Sequence, residues 1–178
     1  MATPPTFNSG DVLNASSMNA IGLWLVKSQT VGSGVSSVTV TSAFSADYDN
    51  YKIIYSGGVG STTNDIQLRL GASTTTYNYQ LIYSAFGAAA LSTLGTTTGT
   101  AFAYGGGTDT NAAWIDVDLL APYLAKYTYL MGGQIGSGTT PVWHQGIHKT
   151  ASSYTDFTIF PSLGTLTGGT ISVYGYRK

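Results

Sequence analysis

The residue pattern predicts an all-β fold: an antiparallel β-sandwich, jelly-roll-like, with a short N-terminal arm and helix. Three observations carry this reading. Thr, Val, Tyr and Gly abound, while Glu is absent and Lys, Arg and Gln are scarce; the first group favours strands and turns, the second helices. Short runs with period-two alternation recur along the chain, separated by turn residues. Finally, 178 residues with 43% hydrophobic and 12% aromatic content can bury the core of one domain.

Residues 1–22 read as an arm and a short helix, and 23–178 as the β-sandwich domain. Pro4-Pro5 keeps the arm extended and Ser9-Gly10-Asp11 is turn-like. Asn14 or Asp11 can cap a helix in which Leu13, Met18 and Ile21 fall near helical spacing, ending at Gly22. So short a helix is marginal alone and must dock on its own domain or a neighbour. Strands are then predicted in order. Val35 to Val40 contains alternation. Tyr51 to Tyr55 is β-branched and aromatic and ends at Ser56-Gly57-Gly58. Asp65 to Leu70 alternates, with Ile66, Leu68 and Leu70 facing one way, and Tyr77 to Tyr83 follows. Ala85 to Thr100 reads as a loop with room for short strands, and Gly105-Gly106-Gly107 as a flexible turn. Trp114 to Leu119 alternates until Pro122. Tyr127 to Met131, Trp143 to His148, Thr155 to Phe160 and Thr170 to Tyr174 complete the series. The segment Tyr48-Asp49-Asn50-Tyr51-Lys52-Ile53-Ile54 echoes Tyr154-Thr155-Asp156-Phe157-Thr158-Ile159-Phe160. Each precedes an alternating strand ending in Gly, so two hairpins of one design, from a duplicated Greek key or from convergence, are expected.

Composition excludes several functions. Seven Lys/Arg against eight Asp cannot form the basic face of a nucleic-acid binder. Without Cys there are no disulfides or thiolate metal sites. The first residues lack the charged and apolar regions of a secretory signal. The longest strongly apolar run, Ile21 to Val26, is far short of a membrane span, so no membrane insertion is expected. Nucleophile-elbow, phosphate-loop and dinucleotide glycine patterns are absent from the sequence.

The remaining chemistry is sparse. Asp116 and Asp118 share one strand face, a spacing that would suit a glycosidase pair. They alternate with Ile115, Val117 and Leu119, however, which is the pattern of a solvent-facing strand surface. His144 and His148 share a face but lie about 13 Å apart on a strand, too far for one metal ion. A metal on a three-fold axis would need only one of them. The run Asp47, Asp49, Asn50 has oxygen ligands suited to Ca²⁺ but lacks an EF-hand's Gly and Glu, and fits turn chemistry better. No catalytic residue, metal or cofactor is therefore expected. Aromatic rings can stack on sugars, and Trp143 and Tyr154, near turns, are the candidate ligand contacts.

Two regions resemble small tailed-bacteriophage virion proteins of the tail-fibre or head-appendage kind. Phe7-Asn8-Ser9-Gly10-Asp11-Val12-Leu13-Asn14-Ala15-Ser16-Ser17-Met18-Asn19 is similar to the F-x-x-G-x-V-L-x-A-x-x-M-N segment of such proteins. The second region is the pair of Tyr-x-x-Tyr/Phe-x-Ile units, with the ending Gly169 to Gly175. Residues 85–145 match only in character. The resemblance implies a non-enzymatic structural protein of the virion, made in the host cytoplasm, built as a homotrimer and associated with other virion proteins. It would be a tail-fibre or tail-tip appendage for host attachment, through host surface glycan, or else a capsid decoration or head-fibre protein. A carbohydrate-binding module in its own right is a third reading. On the first two readings Phe7, Val12, Leu13, Met18 and Ile21 would anchor the domain to a neighbour.

Overall fold

The computed structural model describes residues 9–10, 22–135 and 140–176. Its twelve strands are β1 (Leu23–Thr30), β2 (Val38–Val40), β3 (Asn50–Gly60), β4 (Asn64–Leu70), β5 (Tyr77–Tyr83), β6 (Ser92–Gly99), β7 (Phe102–Thr108), β8 (Ala113–Leu120), β9 (Lys126–Ile135), β10 (Pro141–Ser152), β11 (Phe157–Pro161) and β12 (Leu166–Tyr176). Every pairing is antiparallel. No helix occurs among the described residues. The expected short helix, with Val12, Leu13, Met18 and Ile21, and Phe7 of the arm all lie outside them.

The strands form one hydrogen-bonded sheet that folds over on itself in a β-sandwich-like arrangement. Eight strands run in the order β6-β5-β10-β9-β8-β3-β12-β1, and four in the order β2-β11-β4-β7, with β7 joined to β8. One edge of β8 follows β3 from Ala113 to Leu120. Its other edge is shared: β7 takes Ala113 to Ile115 and β9 takes Asp118 to Leu120. Aromatic rings close the space between the layers. Phe44 packs on Tyr51 of β3 at 4.8 Å and on Phe157 of β11 at 5.6 Å. Tyr77 of β5 meets Phe102 of β7 edge-on at 4.9 Å, and its hydroxyl accepts from Leu70 N at 2.8 Å. Around these rings lie Ile53, Ile66, Leu68, Ile115, Leu119, Ile159 and Val173, all buried. Each such side chain contributes about 1.5–3 kcal/mol of transfer free energy.

Four sequence expectations change here. The Gly105–Gly107 segment is strand, not a turn: it lies buried in β7. A Cβ at Gly106 would overlap the Trp114 carbonyl oxygen and crowd Ile115, so glycine permits the β7–β8 approach. Strand β3 does not stop at Gly57-Gly58 but bulges there, between Tyr55 and Gly58 in the register with β8. Gly57 supplies the positive φ of 75°, and the Tyr55 hydroxyl occupies the space of a Gly58 side chain, donating to Gly168 O at 2.8 Å. Residues 92–99, within the segment read as a loop with room for short strands, form an eight-residue strand, β6, that is exposed along most of its length. Lastly, the two echoing units are not hairpins: β3 pairs with β12, and β4 with β11. Exchanging the units turns one pair into the other, a pseudo-twofold pattern.

Gly106→Ala should therefore destabilise the fold by about 3 kcal/mol, the upper range for overpacking against fixed backbone. A lowered urea midpoint with an unchanged slope would show it.

Candidate functional site: the outer face of the long sheet

Alternation sends every second residue of the eight-stranded sheet outward, and register aligns these residues in rows. One row reads Gln80, Gln145, Met131, Asp118, Lys52, Tyr174, Leu25. The next reads Asn78, Ile147, Tyr129, Leu120, Asn50, Tyr176, Leu23. Trp143 stands beside them, opposite Ile82 on β5 and Gly133 on β9, and is 69% exposed.

The β6-β5-β10-β9 half of this face forms an open trough of about 780 Å³, floored by Asn78, Gln80, Gln145 and Ile147 and bordered by Tyr129. Gly95 on β6 makes it wide enough, because a Cβ there would strike the Gln80 amide. The hydrogen-bond network orients Asn78 so that its nitrogen donates to Thr97 O at 2.9 Å and its oxygen accepts from Lys149 Nζ at 3.0 Å. Carboxamides offer two donors and one acceptor group each and do not titrate. The trough thus presents uncharged polar groups beside an aromatic wall.

The predicted residues fall as follows. Asp116 and Asp118 do share the outer face, where Lys52 pairs with Asp116 and lies 3.9 Å from Asp118. The Tyr176 hydroxyl donates to Asp118, and burial, reinforced by that carboxylate, pushes the phenol up to about 12. The carboxylates are therefore held in a surface ion pair beside the trough. Asp47 Oδ2 accepts from Ser45 Oγ at 3.0 Å, and Asn50 Oδ1 from Ala121 N at 3.3 Å, which is turn chemistry. Trp143 and Tyr154 are not brought together. The Tyr154 hydroxyl bonds Nε2 of His148 at 2.7 Å, and His148 is buried on the opposite face of β10 from Trp143.

His144 and His148 both point into the core and are fully buried. His148 stacks on Tyr77 at 4.2 Å and is held by Tyr154 and by Thr76 Oγ1, 3.2 Å from Nδ1; burial lowers its pKa. His144 sits edge-on to Tyr79 at 5.7 Å and near Phe102. No atom meets hydrogen-bonding geometry at either of its ring nitrogens. Burial pushes its pKa down to about 4, with the Tyr104 backbone acting slightly in the opposite sense.

Sequence reasoning missed Asn78, Gln80, Gln145 and Tyr129. The available signal was that amides occupy alternate positions of β5 and face an amide on β10. No protein-family model, curated protein or solved structure matches the chain.

The buried His144 makes stability pH-dependent. Its folded pKa lies below the unfolded value of 6.5, so the unfolded state takes up the proton first as pH falls. Stability is unaffected above pH about 6.5 and is lost progressively from there to about 4, by roughly 3 kcal/mol in all. His144→Leu, apolar and similar in volume, should flatten most of this loss in urea titrations across that window. An unchanged slope would assign the acid sensitivity elsewhere.

Proposed function

We propose that this chain is a non-enzymatic structural protein of a bacteriophage particle, a compact tail-fibre or tail-tip appendage that attaches the particle to its host. One observation carries the attachment reading: the trough floored by Asn78, Gln80 and Gln145 and bordered by Tyr129, with Trp143 standing exposed beside it. Vicinal sugar hydroxyls need a donor and an acceptor close together, which a carboxamide supplies. The apolar face of a pyranose suits an exposed aromatic ring. Host surface glycan is the ligand class this arrangement fits. Amides and rings transfer no protons, which agrees with binding rather than catalysis. The 8% charged content suits subunit interfaces of a homotrimer, since interface cores are depleted of charge. A jelly-roll-like order of the strands belongs to the same reading, as does anchoring through Phe7, Val12, Leu13, Met18 and Ile21.

A second reading has its own support. On the β12-β1 side of the same face, Leu23 and Leu25 are exposed beside Tyr174 and Tyr176. Such an apolar surface suits burial against a neighbouring shell protein, as in a capsid decoration or head-fibre protein.

Labelled protein should bind host cells saturably, and Trp143→Ala with Gln145→Ala should weaken that binding at least tenfold while leaving the melting temperature unchanged. Saturable binding only to particles stripped of this protein would favour the decoration reading. An N-terminal deletion that left incorporation into particles intact would refute the anchoring role.

A further inference from the structure

The end of the long sheet where β5 turns into β6 carries a feature that the trough shares only at Trp143. The connecting loop reads Ser84-Ala85-Phe86-Gly87-Ala88-Ala89-Ala90-Leu91, and residues 85–91 are all exposed. Phe86 is 65% exposed and Leu91 75%. Trp143, at 69%, and Ile82, at 46%, stand directly opposite one another on β10 and β5 at the same end of the sheet. Ser84 N donates to Pro141 O at 3.3 Å, which ties the base of the loop to the start of β10. Four of the most exposed large apolar side chains thus share one tip.

We propose that this tip is a lipid-contact element, which settles shallowly into the surface of a bilayer with Phe86 and Leu91 leading and Trp143 at the headgroup level. The chain has no charged residue from Leu70 to Thr108, so no ion has to be dehydrated when the tip enters an apolar layer. From Ala85 to Leu91 no side chain carries a hydrogen-bonding group, which leaves nothing for a glycan to grip. The loop also meets part of its own backbone demand. Ala88 N donates to Ala85 O at 3.0 Å and Ser84 Oγ to Ala90 O at 2.9 Å, with Gly87 at a φ of 79° making the turn. Backbone groups paired internally are what an environment without water requires. A tryptophan beside bulky aliphatic and aromatic residues is the composition that prefers the membrane interface. Without basic residues at the tip, anionic lipid adds no attraction. The contact departs from the expectation of no membrane insertion only to the depth of a loop; no helix among the described residues is long and apolar enough to cross a membrane.

The test is flotation of the full chain with vesicles of phosphatidylcholine, alone or mixed with phosphatidylserine. The protein should float with both to a similar extent and remain bound in high salt, whereas Phe86→Ser with Leu91→Ser should lower the bound fraction at least tenfold. Brominated phosphatidylcholine should quench the tryptophan fluorescence of the unaltered chain, and Trp143→Phe should abolish that quenching. The quenching decides the matter if the double variant loses its β-sheet circular dichroism. Absence of flotation, or quenching that persists in Trp143→Phe, overturns the proposal. So does a result in which the unaltered chain does not float but forms an oligomer that the double variant dissolves, because the tip would then seat a second copy of the chain.

Discussion

Everything in this fold depends on how strand β8 shares its hydrogen bonds. A strand edge can pair with one neighbour at each position. β3 occupies one edge of β8 throughout, so β7 and β9 must divide the other. Because β9 takes over at Asp118, β7 is free to swing into the second layer, where it pairs with β4 and brings β11 and β2 with it. The same hand-over extends the first layer through β9, β10, β5 and β6 and so creates the surface in which the trough lies. Gly106 and Gly107 sit at the crossing, paired with Ile115 and Trp114, and a side chain on Gly106 would hold the strands apart.

Strand β10 binds the two sides of the sheet into one problem. Its inward residues are Val142, His144 and His148, and its outward residues Trp143, Gln145 and Ile147. Gly146 lies between the two sets, its missing Cβ leaving room for the Phe102 ring, which would otherwise be 2.7 Å away. The floor of the trough is therefore carried by a strand whose other side is fixed by aromatic packing and by the His148 contacts to Tyr154 and Thr76. Should the trough bind glycan as proposed, rigid support of this kind leaves the surface formed before its ligand arrives.

Much of the architecture was legible in the residues, for a simple reason. Strands such as Asp65 to Leu70 and Trp114 to Leu119 bury alternate side chains on one face, and period-two patterning is the direct trace of that. What failed was glycine. Gly57-Gly58 and Gly105–Gly107 look like turn residues when read locally, yet all lie within strands: Gly57 supplies the positive φ of a bulge, and Gly58 and Gly106 sit where the Tyr55 hydroxyl and the Trp114 carbonyl approach too closely for a side chain. That pressure exists only once the strands are paired, so it leaves no mark in the residue pattern. The paired units around Tyr51 and Phe157 were visible, but their joining to each other's second strands rather than their own was not. At the site, exposed Trp143 could be picked out as an aromatic near a turn. The amides could not, because Asn78 and Gln145 are brought into neighbouring rows by strand register across a long stretch of chain. Tyr154 is equally near a turn, but its hydroxyl serves the buried His148.

The pairing of β3 with β12 has a consequence for how the molecule comes into being. Residues 50–60 find their partners at 166–176, and β1 and β4 likewise wait for β12 and β11. Such non-local closure slows folding and keeps it from being completed strand by strand as the chain emerges from the ribosome. Until β12 is made, β3 and β1 offer unpaired edges that other chains can join. Chains cut short before β12 would lack the strand that seals β3, so they would aggregate or be degraded instead of assembling. The topology thereby acts as a check that only chains carrying the closing strand reach the folded state.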